Sequence, residues 1–398
     1  MMSANAMKSI VKFGFTRKKM INKNIIALGF VSFFTDMASS MVTSILPLFV
    51  VYVLHEGVDK LGFIVGIATF VSYGFRFVFG YLSDRYKIVK PFVVAGYTIS
   101  AVTKPLLYFS NGWVSVAALR GVERIGKAVR SATKDSLISA YSQKGKSGKT
   151  FGFHKTMDIA GELSGSVIAF LALYYLGKNE AIFRELFAWT LLPGIFAVIT
   201  VLFFVKDAPY TSKKTIQKIE LKDDKALLPV LFLYFAFIFF MFSDSFFMIK
   251  AKESGYSLEF IPLLVIVLNL TQTLFSYFFG LKVDKFGAKK VLLFSYLFGI
   301  LSMLSLYLNF IILGFILLGL FTVSSLNAIR AYISSKAKNK GSVYGIFYAG
   351  VAISGALGAS FIGIIWKYFG ETKAISISLT ALVLIGAIFW VKSKELFI

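Results

Sequence analysis

The stretch "RGVERIGKAVRSATKDSLIS", Arg120 to Ser139, decides how the chain is read. It places Arg120, Glu123, Arg124, Lys127 and Arg130 at spacings of three and four, directly after a run as apolar as "VSVAALRG". At about 100° per residue these five, with Lys134 and Asp135, fall within some 140° of one helical face. Gly121, Val122, Ile125, Ala128, Val129 and Ala132 take the remainder. On a soluble helix such a stripe would face water, so the surroundings decide its meaning.

Those surroundings are a membrane. The 398 residues are 57% hydrophobic and 17% aromatic, with 44 Phe and a mean hydropathy of +0.75. Soluble domains average about 45–50% apolar even when Gly is counted. A net charge of +23 would suit a nucleic-acid binder if the basic residues shared one soluble surface. Here they sit in short segments between apolar runs, so no nucleic-acid partner is expected. The absence of Cys excludes disulfides, zinc–thiolate sites and thiol nucleophiles. Residues 1–24 are basic, and the apolar run behind them is far longer than the roughly 7–15 residues of a signal-peptide core. They read as a retained cytoplasmic tail.

A helix crosses the hydrocarbon in about 20 residues and must satisfy its own backbone there. Twelve candidate spans follow, at residues 25–53, 61–82, 91–110, 112–133, 151–176, 184–205, 227–249, 258–281, 289–308, 310–332, 342–368 and 373–391. With both tails included, alternate connections carry roughly 28 basic residues on one side against about six on the other. Both termini are therefore expected in the cytoplasm, in a multi-pass protein of the cell membrane. The long polar connection divides the chain into a bundle over 25–205, a linker over 206–226 and a second bundle over 227–398.

The halves repeat at an offset near 200. "FFTD", ending at Asp36, answers "MFSD", ending at Asp244. "GYLSDRYKIVK" answers "GLKVDKFGAKK", matching Gly80, Asp84 and Arg85 to Gly280, Asp284 and Lys285. The fifth and eleventh spans open as "FGFH" and "YGIF", then place a glycine or serine every three to four residues. Two parallel six-helix repeats around a midplane site are the build of secondary transporters.

On these residues the sequence resembles the major facilitator superfamily over nearly its whole length. The resemblance implies an all-α membrane protein, twelve transmembrane helices in two pseudo-symmetric six-helix bundles, with a solute cavity between them. "GxLxDR" at Gly80 looks like the family signature in the loop between the second and third spans. Asp84 and Arg85, with Asp284 and Lys285, would then gate the cycle. "RxxERxG" at Arg120 looks like the family's fourth-span motif, whose arginine is associated with proton transfer in exporters. Glu123 and Arg124 stand where glutamine and glycine are usual. Of the exporter signature on the fifth span, Gly161 and Gly165 are present, but Ser166 replaces the proline.

Charge inside a membrane cannot face lipid, so the Arg120 stripe lines water or a partner helix. At 1.5 Å per residue from Gly112, Arg120 lies roughly 12 Å deep and Arg124 roughly 18 Å. The alternative is a structural ladder with Asp36, Asp158 and Glu162 as counter-ions. Asp36 and Asp244 occupy matching places, and each could instead bond a neighbouring hydroxyl such as Ser40 or Ser243. His154, Asp158 and Glu162 are spaced by four along the fifth span; His154 reads first as a surface or salt-bridged residue. "QKGKSGKT", Gln143 to Thr150, imitates a P-loop, but Gln143 stands where glycine is needed and no strand precedes it.

The sequence therefore points to alternating-access transport of a small molecule by a monomer in the lipid bilayer. The leading expectation is proton-coupled efflux of an amphiphilic or cationic compound. The alternative is uptake of an organic anion or sugar through Arg120 and Arg124. A membrane-embedded enzyme or receptor finds little support, and no cofactor or metal is expected, because two His and no Cys leave little for a metal or nucleophilic site. Candidate proton carriers are Asp36, Glu123, Asp158, Glu162 and Asp244. Candidate cavity residues are Asp36, Arg120, Arg124, Asp244, Asn269, Gln272 and Asn327. The cysteine-free chain makes the topology directly testable: in inverted vesicles a membrane-impermeant maleimide should label Gly341→Cys and spare Gly177→Cys. The reverse pattern overturns the orientation.

Overall fold

The computed structural model describes residues 22–86, 89–141, 147–207 and 224–396. The N-terminal tail through residue 21, residues 143–146 of the P-loop mimic and linker residues 208–223 lie outside the described residues. Among the described residues the chain forms twelve long helices. They are α1 Lys23–Val53, α2 Val58–Tyr86, α3 Lys90–Phe109, α4 Trp113–Tyr141, α5 Ser147–Tyr175 and α6 Glu180–Phe204, then α7 Lys225–Glu253, α8 Leu258–Phe286, α9 Ala288–Tyr307, α10 Ile311–Lys336, α11 Lys340–Phe369 and α12 Glu371–Leu396. Eleven are long and apolar enough to cross a bilayer by composition alone; the twelfth, α4, is excluded by its own charges.

The repeat seen in the sequence is a repeat of packing. Helix α1 packs on α5 and α6 as α7 packs on α11 and α12, and α4 packs on α2 and α3 as α10 packs on α8 and α9. The bundles meet along α2 with α11 and α5 with α8. Small residues make the close approaches. A Cβ on Gly62 would stand 2.5 Å from the Ala359 carbonyl oxygen, and one on Gly363 2.8 Å from that of Val58, so α2 and α11 touch backbone to backbone.

Two expected continuous spans are broken. Helix α1 runs from Lys23 to Thr43, turns at Ser44 and Ile45, resumes over Leu46–Leu48 and ends in a wide π turn over Phe49–Val53. Pro47 explains the interruption, since it has no N–H for the carbonyl four residues back. The break is pinned from α5: Ser166 Oγ lies 2.7 Å from Ser40 Oγ and 2.8 Å from Ser44 Oγ. In α7 the helix stops at Phe240, extends through Met241–Ser243 and restarts at Asp244. Ser-Asp is a sequence suited to a helix start, where exposed N–H groups and the peptide dipole favour oxygen and negative charge.

The signature residues are not in loops as expected. Gly80, Asp84 and Arg85 belong to α2, which continues to Tyr86, and Gly280, Asp284 and Lys285 belong to α8, which continues to Phe286. The α8 helix ends at Gly287, whose φ of 82° only glycine adopts readily. Asp284 and Lys285 are exposed; the side chains of Asp84 and Arg85 lie outside what is described.

With twelve passes, the start of α1 and the end of α12 lie on one face, the terminal face. The bundles close at the opposite, distal face. Lys178 Nζ pairs with Glu259 Oε1 at 2.7 Å across the interface, and the Phe170 and Tyr174 rings lie 5.9 and 6.3 Å from that of Phe260. The Gly62→Leu substitution should part this seam. Labelling of Thr43→Cys by an impermeant maleimide from the distal side should then rise at least several-fold in proteoliposomes. Unchanged labelling would remove the α2–α11 seam from the closure.

Candidate functional site

The charged stripe of α4 is drawn inside, as its cost in lipid requires. Arg120 is 4% exposed and Glu123 2%. They pair within the helix at 2.7 Å from Arg120 Nη1 to Glu123 Oε2, and Arg124 Nε reaches the same oxygen at 3.4 Å. One carboxylate thus holds two guanidinium groups. Arg130 leaves the triad and faces α3, its guanidinium carbon 4.6 Å from the Tyr97 ring centroid. A face that is one stripe on a helical wheel therefore divides between an ion triad and a cation–π contact.

The triad borders a cavity of about 240 Å³ between the bundles, toward which Arg120, Arg124 and Lys127 project from α4 and Ser243, Asp244 and Ser245 from α7. Thr43 of α1 and Thr69, Ser72 and Tyr73 of α2 add hydroxyls. Along α4 the cations run from buried Arg120 through half-buried Arg124 to exposed Lys127, so the cavity opens toward the terminal face. Asp244 accepts from the Ser245 backbone N–H at 2.9 Å. Asn269, Gln272 and Asn327 are not among the lining residues. The Asn327 amide instead donates to the Ser276 carbonyl at 2.9 Å, bracing α10 to α8.

A second polar cluster lies between α1, α4 and α5. His154 is buried, 4% exposed, not at a surface. Its Nε2 lies 2.8 Å from Ser32 Oγ, its Nδ1 lies 3.2 Å from Asp158 Oδ1, and Lys134 Nζ donates to Ser32 Oγ at 3.3 Å. Asp36 and Glu162 share this electrostatic environment with Asp158 and Lys127. Among the described residues neither Asp36 nor Glu162 has a cationic partner within 4 Å, so neither forms the expected ion pair with α4. Ser40, the expected hydroxyl partner of Asp36, is committed to Ser166.

Lys104 has no counterpart in the sequence reading. It is 1% exposed, at the end of the α-helical part of α3 just before Pro105. From α3, outside the α4 stripe, it lies in the electrostatic field of Glu123. Nothing but an isolated lysine in an apolar run marks it, in "AVTKPLLYF".

The sequence matches the Major Facilitator Superfamily over residues 28–268 and 230–395. An uncharacterized MFS-type transporter of Methanocaldococcus jannaschii is 31% identical over 378 residues, covering 91% of this chain and 93% of the relative. The chain belongs to the major facilitator superfamily. Its fold is similar to that of a variant of the nucleoside transporter NupG, with a TM-score of 0.80 and 13% identity over 93% of this chain and 99% of that one. It is also similar to a D-xylose–proton symporter, at 0.69 and 18%, covering 92% and 96%.

The triad makes a stability prediction. Glu123→Ala leaves two buried guanidinium groups without their shared acid and should cost about 3–5 kcal/mol. Arg120→Met combined with Glu123→Leu should recover much of that loss. Thermal midpoints of the detergent-purified variants test this, and a double variant as unstable as Glu123→Ala would refute the pairing.

Proposed function

We propose that the chain is an alternating-access transporter of a small solute bearing an anionic group, driven by protons. The carrying observation is the charge of the cavity: three cations of α4 face it and one carboxylate, Asp244, answers them. Of the two substrate classes expected from the sequence, an outward-carried amphiphile or cation and an inward-carried organic anion or sugar, this charge favours the anion. A lipophilic cation would meet Arg120, Arg124 and Lys127 at close range in surroundings that screen poorly. At about 240 Å³ the cavity is smaller than the roughly 300–1,000 Å³ of drug-sized sites, which favours a compact solute.

For coupling we assign Asp36 and Glu162, the unpaired carboxyls beside the His154–Asp158 pair. Intramembrane acid and imidazole groups in sequence are the chemistry of proton relays. Glu123 is a poorer carrier, because its proton would break a bond to two guanidinium groups. Asp158 is engaged by His154, and Asp244 belongs to the solute cavity. With the basic loops in the cytoplasm, the open terminal face would be the cytoplasmic one.

Reconstituted vesicles loaded with a pool of small organic acids, followed by mass spectrometry under an imposed pH gradient, test the reading. Asp36→Asn should abolish gradient-driven flux at least tenfold while leaving exchange of the same acid across equal pH intact. Loss of both would assign Asp36 to folding or binding. Retention of gradient-driven flux would remove it from coupling, and no acid movement in the wild type would overturn the substrate class.

A further inference from the structure

We infer that the solute is a zwitterion, held with its anionic group on Arg120 and Arg124 and its cationic group on Asp244. This deepens the preceding reading, on which it rests, by assigning the second charge of the solute. The geometry points to it through an incomplete ion pairing. Asp244 and the α4 cations line one cavity and lie in each other's field, yet among the described residues Asp244 forms no ion pair within 4 Å. Opposite charges free to meet inside a membrane are normally paired. Here they are held apart, because Arg120 and Arg124 are tethered to Glu123 and Asp244 is fixed at a helix start by the Ser245 N–H.

Two unpartnered groups belong to residues that line the same cavity. Arg120 Nε is buried without a hydrogen-bond partner, as is Ser243 Oγ. A guanidinium has five N–H donors, and Glu123 uses only part of this fork, which leaves one edge for a second carboxylate. Ser243 directly precedes Asp244 and can accept from an ammonium group or donate to a carboxylate. A solute with both charges would satisfy the α4 edge, the hydroxyl and Asp244 together. An anion alone would leave Asp244 unpaired beside it, and a cation alone would leave the Arg120 Nε donor without a partner.

The placement also links binding to motion. Arg120 and Arg124 belong to the first bundle and Asp244 to the second, so the zwitterion bridges the two bodies that must rock. A solute bearing only one of the charges would engage only one of them.

The test compares matched solutes on purified wild-type protein by ligand-induced thermal shift and equilibrium binding. The probes are the neutral α- and ω-amino acids, each with its deaminated carboxylic acid and its decarboxylated amine. At least one amino acid should bind tenfold or more tighter than both of its counterparts. Asp244→Asn should erase that preference, weakening the amino acid at least tenfold while the deaminated acid gains relative to it. Asp244→Glu, which keeps the charge, should preserve the order and controls for a folding defect. Acids binding as well as amino acids in the wild type would overturn the zwitterion and leave the anion reading standing. Amines binding best would overturn both, as would no binding by any probe.

Discussion

Two guanidinium groups on one carboxylate, inside a span that must cross hydrocarbon, constrain the rest of this molecule. Each charge in the Arg120–Glu123–Arg124 triad would cost several kcal/mol if turned to lipid. The helix that bears them therefore has to be enclosed, and α2 and α3 pack against it. Pairing removes most of the field of one arginine but leaves the cluster positive, with Lys104 and Lys127 acting in the same field. Water or a counter-charged solute must supply what the protein does not. A cavity at that place is a consequence of electrostatics as much as of shape.

The broken helices solve a related problem. A continuous α-helix consumes all of its backbone polar groups and presents only side chains, whereas an interruption frees groups to face a binding site. In α7 the restart at Asp244 brings a carboxylate and a helix start to the cavity together. In α1 the interruption at Ser44 and Ile45 is held by a hydroxyl cluster centred on Ser166. The exporter signature carries proline at that position, and proline has no hydroxyl. This chain therefore uses the site to lock α1 to α5 through side-chain hydrogen bonds, and Gly161 and Gly165 let the two backbones approach closely enough for that.

The spans, their pairing into repeats and the inward turn of α4 were legible because each rests on a strong term: the hydrophobic length of a crossing, repetition at a fixed offset, and the cost of charge in lipid. Helix ends were less legible, since α2 and α8 continue as helices through polar residues that hydropathy assigns to loops. Asp84, Arg85, Asp284 and Lys285 lie there. The break in α7 has no proline or glycine to announce it; only the Ser-Asp pair hints at a helix start. Partners chosen by tertiary packing were not legible at all. His154 with Ser32, Arg130 with Tyr97, and the burial of Lys104 depend on which helices become neighbours. A wheel diagram cannot supply that.

The two polar clusters are close enough to act on each other, and this bears on how a proton could drive a solute. Lys127 lines the cavity and also lies in the field of Asp36 and Glu162. On the proposed reading, an anionic group arriving beside Arg124 and Lys127 would change the potential at both carboxyls. By reciprocity, a proton on either carboxyl would then change the affinity for such a solute by the same factor. No moving part is needed for that linkage, because charge acting over a short distance in a poorly screened interior is sufficient. Motion is needed to make it vectorial. The glycine seam of α2 and α11 and the Lys178–Glu259 pair hold one face shut while the other is open. On the proposed reading, the charged residues would set when the bundles rock because α4 and α7 place opposite charges on separate bodies.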